Sequence, residues 1–374
     1  MKHILIISSH APSLINFRLP LIKELLRKGN KVSIATTKYK FTDNLQNQLI
    51  DLGIKINIFS LSRSGLNLFR DFKSFREMRN IIQNCNPDIL IAYTAKPVIY
   101  TGIILKNFPK ISYYPLITGL GYAFTSDNNF KRTILKNLMI KLYKEGLKSA
   151  SKVIFQNTDD KNLFNKLKII KKKNLLRVVN GTGVDLKAYP FSTLPSKPIF
   201  LMISRLLVDK GVREYVQAAK IVRSRFPRAI FQLAGYFDEN PSGISLNELK
   251  FWIKQKNIQY LGEIDSVRSI LKSCRYYVLP SYREGTPRST LEALSTGRPV
   301  ITTDVPGCRE TVINKKNGLL VPPKNPKALA KAMITLLEQK DKATKSMAKQ
   351  SYLIAKKKYK IEKVNKSILS IIGL

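Results

Sequence analysis

The sequence predicts an α/β protein built from two doubly wound parallel sheets, and three observations lead to this fold class. Short runs of apolar, β-branched residues alternate with longer amphipathic segments from the first residue onward, which is typical of parallel strands buried on both faces. A turn-rich stretch near residues 185–198 separates a first series of such runs from a second. The 374 residues suffice for two domains, each large enough to bury its own core.

The first series predicts an N-terminal domain over residues 1–188. Its expected strands are His3–Ser8, Lys31–Thr36, Ile54–Phe59, Asp88–Tyr93, Ile111–Ile117, Val153–Gln156 and Leu175–Val179. Helical stretches lie between several of them, including Leu19–Lys28, Asp71–Gln83 and Phe130–Lys148. This order of elements predicts one Rossmann-like sheet.

The second series predicts a C-terminal domain over residues 189–356. Its expected strands are Ile199–Ser204, Ala229–Ala234, Ile258–Leu261, Arg275–Pro280, Pro299–Thr303 and Gly318–Val321. Only helices are expected from Lys327 onward, and we expect the segment 357–374 to join the first domain. Open α/β sheets bind ligands beyond the carboxyl ends of their strands, so we expect two Rossmann-like domains that face an interdomain cleft containing the site.

The charge of the chain is the abnormal feature of its composition. The chain has 65 Lys and Arg against 25 Asp and Glu, a formal net charge of +40, which indicates an anionic partner. An A+T-rich coding sequence would also enrich Lys, Ile and Asn, and this explanation has equal weight. The three cysteines are far apart and form no Cys-x-x-Cys pair, so we expect them to be reduced and structural.

No segment of the sequence predicts export or a membrane span. The N-terminal apolar run, Ile4 to Ile7, is shorter than the ~7–15 residues of a signal-peptide core. The apolar region from Ile89 to Leu105 is interrupted by Lys96 and Pro97 and lacks the ~18 uninterrupted apolar residues of a spanning helix. We expect a cytoplasmic protein that touches a membrane face.

The densest motif follows the predicted strand Arg275–Pro280 and runs from Ser281 to Ala293. Thr286 is the expected N-cap of a helix and Pro287 its first residue. A helix N-terminus carries unpaired N–H groups and a partial positive charge, which favour a phosphate. Glu284 and Glu292 can both face the same cleft, where Glu292 is suited to a nucleotide ribose and Glu284 to a transferred sugar. Alternatively, the two glutamates merely complement the helix dipole.

A second motif follows the predicted strand Ile199–Ser204. It places Arg205 and Lys210, followed by Gly211, before an amphipathic helix. A diphosphate leaving group develops negative charge as its bond breaks, and a positioned Arg and Lys can stabilise that charge. In a chain with 65 cations two in one loop also arise by chance, so it is their position at the end of a strand that favours a function.

In this order the motifs resemble retaining glycosyltransferases of family 4, which have the GT-B fold. The resemblance rests on Ser-Arg-x4-Lys-Gly at Ser204–Gly211, Ala234-Gly235, Leu261-Gly262 and Glu284-Gly-x-Pro-x4-Glu292-Ala. It implies a nucleotide-sugar donor with Arg205 and Lys210 on the diphosphate, Glu292 on the ribose and Glu284 beside the sugar. The implied substrate-binding residues further include Gly285, Thr286, Pro287, Leu261 and Ile264, the last two near the base.

Three further segments resemble bacterial enzymes of this family that extend sugars on undecaprenyl diphosphate, N-acetylgalactosaminyltransferases among them. These segments are Asn16-Phe17-Arg18, Thr118-Gly119-Leu120-Gly121 and Asp238-Glu239-Asn240-Pro241. On this basis Asn16, Arg18, Gly119 and Gly121 are assigned to substrate binding. Arg18, Arg63 and Lys96 are candidates to contact an acceptor phosphate, or else ordinary surface charges.

The sequence departs from the family pattern where many members carry a histidine near the donor sugar, because Thr118–Gly121 aligns there instead. His3 is expected to be packed in the first strand, and His10 to lie in the loop after it, where it could act near the acceptor. The family's retention of configuration is described as a front-face displacement in which the leaving phosphate assists deprotonation, without a protein nucleophile. The chain has no Asp-x-Asp motif, so we expect neither a metal nor another cofactor.

The function that these observations favour is transfer of a sugar, an N-acetylhexosamine, from a UDP-sugar to a lipid-diphosphate-linked saccharide in bacterial glycan assembly. Such an acceptor predicts contact with the anionic inner face of the plasma membrane. The segment Phe130–Lys148 is amphipathic and basic, so it either lies on lipid or packs its apolar side in the core. The alternatives are a UDP-sugar 2-epimerase on the same scaffold and a nucleic-acid-binding protein. The latter is supported by charge alone, so no nucleic-acid partner is expected.

Overall fold

The computed structural model describes residues 1–38, 41–61, 68–121, 124, 130–170, 172–238 and 242–374, without the side chains of 68–69 and 131–132. The chain divides into two compact units. The first comprises Met1–Thr182 with Val364–Leu374, and the second comprises Gly183–Lys363. The second unit thus begins before residue 189 and extends beyond residue 356, because a parallel bridge joins Val184 to Lys360.

The first unit contains, within its described residues, a parallel sheet of seven strands in the order β3-β2-β1-β4-β5-β6-β7. The strands are β1 His3–Ile7, β2 Lys31–Thr36, β3 Lys55–Ile58, β4 Ile89–Tyr93, β5 Ser112–Ile117, β6 Val153–Phe155 and β7 Leu176–Val178. The order runs outward from β1 in both directions, as in a doubly wound fold. β4 is buried along its whole length, since helices cover both faces of the sheet.

The helices of the first unit follow the strands in regular alternation. They are α1 Leu19–Arg27, α2 Asp43–Ile50, α3 Leu68–Cys85, α4 Ala95–Ile104, α5 Phe130–Gly146 and α6 Thr158–Lys166. A π-helical turn, Leu14–Arg18, comes before α1. Helices α4 and α5 approach closely at two glycines, because a Cβ on Gly102 would lie 1.5 Å from the carbonyl oxygen of Gly146.

The second unit contains a parallel six-stranded sheet, counted over its described residues, in the order β10-β9-β8-β11-β12-β13. The strands are β8 Ile199–Ile203, β9 Ile230–Ala234, β10 Gln259–Tyr260, β11 Tyr276–Leu279, β12 Val300–Thr303 and β13 Gly318–Val321. The helices among them are α7 Val212–Arg225, α8 Leu246–Lys254, α9 Arg268–Ser273 and α10 Arg288–Ser295. The strands β8 and β11 are central neighbours, so the loops that follow them lie side by side.

The chain after β13 is helical, as the sequence predicts. Its elements are α11 Pro326–Glu338, α12 Asp341–Ile354, a π-helical turn Ala355–Tyr359 and α13 Ile361–Ile372. The apolar side chains of α13, including Val364, Ile368 and Leu369, pack in the same cluster as Ile4 and Ile6 of β1. The last helix therefore completes the core of the first unit.

The three cysteines are free. Within the described part of the chain, every helix is too short or too polar to cross a membrane.

Candidate active site

Two loops at the carboxyl ends of β8 and β11 form the centre of the candidate site. The first passes through a 3-10 turn, Val208–Lys210, and reaches α7 at Gly211. Gly211 has φ +75°, and a Cβ there would lie 2.2 Å from the carbonyl oxygen of Pro280. Because only glycine permits both this backbone conformation and this close approach, Gly211 brings the two loops into contact.

The structure brings Lys210 and Glu284 together across these loops. The Lys210 Nζ donates to Glu284 Oε1 at 2.5 Å, and the Ser281 Oγ donates to the same oxygen at 2.8 Å. Each side chain of the ion pair is 15% exposed. The backbone N–H of Glu284 donates to the carbonyl oxygen of Pro306. The lysine predicted to bind a diphosphate and the glutamate predicted to bind a sugar are therefore in direct contact.

Tyr282 forms a second connection between the same two loops. Its backbone N–H donates to the carbonyl oxygen of Asp209 at 2.8 Å, and its hydroxyl donates to Glu214 Oε1 at 2.6 Å. Glu214 lies in the first turn of α7. The sequence offers no local pattern that pairs Tyr282 with Glu214, so this contact is not predictable from spacing.

Arg205 pairs with the carboxylate of Asp238, which lies in one of the segments that carry the family resemblance. Its Nη1 donates to Asp238 Oδ2 at 2.7 Å, and Glu284 is near enough to act on the guanidinium electrostatically. Asp238 opens the segment 238–241, of which residues 239–241 lie outside the described residues. Both cations of the loop after β8 thus pair with a carboxylate from a neighbouring loop: Arg205 with Asp238 after β9, and Lys210 with Glu284 after β11.

The turn before α10 differs by one residue from the prediction. Pro287 is the N-cap, with φ −71° and ψ 114°, and the helix begins at Arg288. The expectation that Thr286 caps the helix and Pro287 opens it was wrong, because the proline ring fixes φ but leaves ψ free to be extended. The Thr286 hydroxyl instead donates to the carbonyl oxygen of Gly285 at 2.9 Å.

Glu292 lies on α10 and is 6% exposed. The Arg288 Nε donates to its Oε1 at 2.8 Å, and the Tyr189 side chain is near enough to act on its carboxylate. Burial raises the pKa of Glu292 above the ordinary glutamate value, and the charge of Arg288 acts in the opposite direction. The i, i+4 spacing could have identified Arg288 as a partner, whereas Tyr189 is too distant in sequence to be found by spacing.

Leu261 and Ile264, the predicted residues near the base, lie just after the edge strand β10 and are half-buried. The Leu261 N–H donates to the carbonyl oxygen of Leu233, which continues the pairing with β9. Nearby, a Cβ on Gly235 would lie 1.7 Å from the carbonyl oxygen of Ser204. This glycine therefore allows the loop after β9 to pass directly against the start of the Arg205 loop.

In the first unit, Arg18 is a buried residue rather than a surface cation. It is 3% exposed, and its guanidinium carbon lies 4.9 Å from the centroid of the Tyr93 ring, a cation–π contact. Asn16, in the same π-helical turn, is exposed. Gly119 and Gly121 follow β5 with positive φ values of 123° and 63°, which favour glycine.

The other acceptor-side candidates have different surroundings. The Lys96 Nζ lies 2.8 Å from Asp71 Oδ1 in a mostly buried ion pair, and Arg63 lies outside the described residues. His10 is half-buried in the loop after β1. His3 lies within β1 with its Nε2 2.9 Å from Ser33 Oγ, and burial lowers its pKa.

No group of three or more His, Cys, Asp or Glu side chains among the described residues is arranged to hold a metal ion.

Two family models match the chain. Glycosyl transferases group 1 matches residues 190–353, and glycosyl transferase 4-like matches residues 3–157. A relative from Campylobacter jejuni, N,N'-diacetylbacillosaminyl-diphospho-undecaprenol alpha-1,3-N-acetylgalactosaminyltransferase, is 32% identical over 359 residues, which cover 92% of this chain and 91% of the relative. The chain belongs to the group 1, glycosyl transferase 4-like family. The resemblance predicted from the motifs is confirmed.

A second curated relative and a solved structure agree with this family and with the fold, respectively. The Escherichia coli UDP-Gal:alpha-D-GlcNAc-diphosphoundecaprenol alpha-1,3-galactosyltransferase is 25% identical over 295 residues, which cover 74% of this chain and 73% of the relative. The structure of sucrose-phosphate synthase from Thermosynechococcus elongatus matches with a TM-score of 0.82 at 18% identity, covering 100% of this chain and 98% of the other. The predicted GT-B fold class is confirmed, and the chain is a glycosyltransferase rather than a nucleic-acid-binding protein or an epimerase.

Proposed function

We propose that this glycosyltransferase moves an N-acetylhexosamine from a UDP-sugar to a saccharide linked to a lipid diphosphate, with retention of configuration. The observation that carries the proposal is the contact of Lys210 with Glu284, where the loops after β8 and β11 meet. This contact joins a cation suited to a diphosphate with a carboxylate suited to sugar hydroxyls. The C. jejuni and E. coli relatives are both named for diphospho-undecaprenol acceptors, which supports such an acceptor here, and the E. coli relative is named for UDP-Gal, which supports a UDP-sugar donor.

The chemistry follows from charge at the site. As the bond between the sugar C1 and the phosphate oxygen breaks, negative charge grows on the departing diphosphate, and Arg205 and Lys210 are placed to stabilise it. The acceptor hydroxyl bonds to C1 on the same face, and its proton passes to the leaving phosphate oxygen. UDP and the extended lipid-linked saccharide are the products. Glu284 accepts hydrogen bonds from the sugar and Glu292 from the ribose.

We further propose that the reaction needs no metal ion or other cofactor, because two protein cations stand where a divalent metal would otherwise neutralise the diphosphate. Activity should therefore persist after treatment with EDTA. Loss of activity with the chelator and recovery with Mg²⁺ would contradict this part of the proposal.

We also propose that the protein works in the cytoplasm, at the inner face of the plasma membrane, where such an acceptor is held. The excess of positive charge supports this location, as do the first turns of α5. There Phe130 and Ile134 are 77% and 53% exposed, whereas Tyr143, further along the helix, is buried in the core. One end of α5 is thus packed and the other offers apolar side chains to the surroundings.

The decisive experiment incubates the purified protein with a panel of labelled nucleotide sugars and a lipid-diphosphate-linked saccharide. We expect transfer from a UDP-N-acetylhexosamine, with the anomeric configuration retained in the product. Reactions without acceptor serve as the control, because an epimerase would release free sugar and UDP there. Absence of transfer from every donor would overturn the proposal.

A further inference from the structure

Glu292 is a buried carboxylate held from two directions. On one side stands Arg288, four residues earlier on α10, at 2.8 Å. Arg288 is the first residue of this helix, where a positive charge is unfavourable because the helix dipole is already positive at that end. The ion pair with Glu292 offsets this unfavourable interaction with the helix dipole. Arg288 therefore depends on Glu292 for a favourable electrostatic environment.

On the other side stands Tyr189, which is itself fixed at two points. Its side chain is near enough to the Glu292 carboxylate to lower the pKa of that group, and its backbone carbonyl accepts a hydrogen bond from the hydroxyl of Ser295, the last residue of α10. The guanidinium carbon of Arg268 lies 5.6 Å from the centroid of the tyrosine ring. Tyr189 is thus anchored to the helix that carries Glu292.

We propose that Arg288 and Tyr189 are positioning residues for the donor nucleoside, which orient the Glu292 carboxylate to accept hydrogen bonds from the vicinal hydroxyls of a ribose. This inference rests on the proposed function, since it requires a ribonucleotide donor. A carboxylate with two acceptor oxygens can bind two neighbouring hydroxyls, whereas a protonated carboxyl group offers a donor in place of one acceptor. Burial favours the protonated form of Glu292, whereas the charge of Arg288, the Tyr189 side chain and the charge of Arg268 oppose it.

The test measures binding of UDP and of 2'-deoxy-UDP by calorimetry for the wild-type protein and for Arg288→Met, Arg288→Lys and Tyr189→Phe. The wild type should bind UDP about tenfold or more tightly than 2'-deoxy-UDP, the usual size of one hydrogen bond to a charged group. In Arg288→Met this preference should fall towards unity, because UDP loses a contact through two hydroxyls whereas 2'-deoxy-UDP, which offers only the 3'-hydroxyl, loses less. Arg288→Lys should recover part of the preference, and Tyr189→Phe should lose part of it.

The pH dependence provides a second readout that a purely structural role would not produce. UDP binding should weaken as the pH falls towards the pKa of Glu292, because the carboxylate gains a proton. Removing the charge of Arg288 should raise that pKa further, so in Arg288→Met the loss of binding should begin at a higher pH. Arg213→Met, which breaks a pair with Glu248 in the same unit, is the matched control and should change neither the nucleotide preference nor the pH profile.

Thermal unfolding of every variant shows whether it is folded. An Arg288→Met protein that keeps the wild-type preference for the 2'-hydroxyl and the wild-type pH profile would overturn the inference. Equal weakening of both nucleotides would also overturn it, since that indicates a general structural role. Failure of the proposed function is distinguishable, because the wild-type protein itself would then bind no UDP and transfer no sugar.

Discussion

Glu284 Oε1 accepts two hydrogen bonds, from Lys210 and Ser281, and in the proposed function the same carboxylate also binds the transferred sugar. Lys210 is likewise shared between this carboxylate and the expected diphosphate. The proposed function of the site therefore depends on the charges of these side chains.

Glu284→Gln tests this dependence. The amide oxygen still accepts from Lys210 and Ser281, but the negative charge is lost, so we expect kcat to fall about 10²–10³-fold, the usual effect of removing one electrostatic contact to a transition state. The measurement is the initial rate of transfer at a temperature where the variant is folded. Glu248→Gln, away from this cluster, is the control and should keep wild-type activity; a Glu284→Gln enzyme as active as this control would contradict the prediction.

At the scale of residues, the sequence predicts those members of the candidate site that lie together in short motifs. Glu284, Glu292, Arg205 and Lys210 lie in short motifs with fixed spacing, and each is found next to a charged partner in the structure. Their partners Asp238 and Tyr189 could not be identified, because the contacts join residues on different loops that only the folded sheet brings together. The shift of the α10 cap to Pro287 depends on a single ψ angle, which composition does not specify.

At the scale of elements, the loops after β8 and β11 behave as one assembly. Gly211 lies against Pro280, and Tyr282 is bonded to both Asp209 and Glu214. The distance between the loops sets the position of Lys210 relative to Glu284, so contacts without any direct role in chemistry affect the site.

Gly211→Ala should widen this separation. An alanine in the left-handed conformation costs about 1–2 kcal/mol anywhere, but at Gly211 the added methyl group also overlaps the backbone of Pro280. Gly262→Ala is the matched control, because Gly262 has φ +78° and no atom within 4 Å of the added Cβ. Urea unfolding should therefore show a larger loss of stability for Gly211→Ala, and equal losses would refute the overlap.

Tyr282→Phe removes the hydroxyl bond to Glu214 and leaves the ring. We expect kcat/KM to fall roughly tenfold, in line with about 1.5 kcal/mol for one hydrogen bond to a charged group, because the two loops lose part of their connection. Tyr276→Phe is a suitable comparison, since it removes a tyrosine hydroxyl bond to the carbonyl oxygen of Leu336, at the other end of the sheet. Equal effects of the two substitutions on kcat/KM would argue against a special role for Tyr282.

The strands were the most predictable elements, because a strand buried on both faces leaves a continuous apolar run. All thirteen predicted strands have counterparts in the two sheets, and β10 is shortened to half its predicted length, from Ile258–Leu261 to Gln259–Tyr260. An edge strand pairs on one side only, so its extent depends on its neighbour β9 rather than on its own composition.

At the scale of the whole molecule, the charge of +40 is the feature that no single site explains. Several basic residues facing an anionic leaflet would contribute on the order of 1 kcal/mol each. Together with Phe130 and Ile134 on α5, they would bind a membrane surface peripherally and in a salt-sensitive manner.

Co-sedimentation with liposomes tests this interpretation. We expect binding to anionic vesicles at low salt, and less binding to neutral vesicles or at high salt, because salt screens exposed charges. Ile134→Ser should weaken the binding, whereas Phe251→Ser, which removes an exposed aromatic side chain from α8, should not. Equal recovery on neutral and anionic lipid would exclude an electrostatic contribution.

The return of the chain to the first unit has a consequence for the order of synthesis. Val364–Leu374 belongs to the first unit and is translated after the entire second unit. The apolar cluster that α13 shares with Ile4 and Ile6 of β1 therefore stays incomplete on the ribosome until the second sheet has been made. Maturation of the first half of the polypeptide must wait for the second, and a nascent chain stalled before α13 would be a substrate for chaperones.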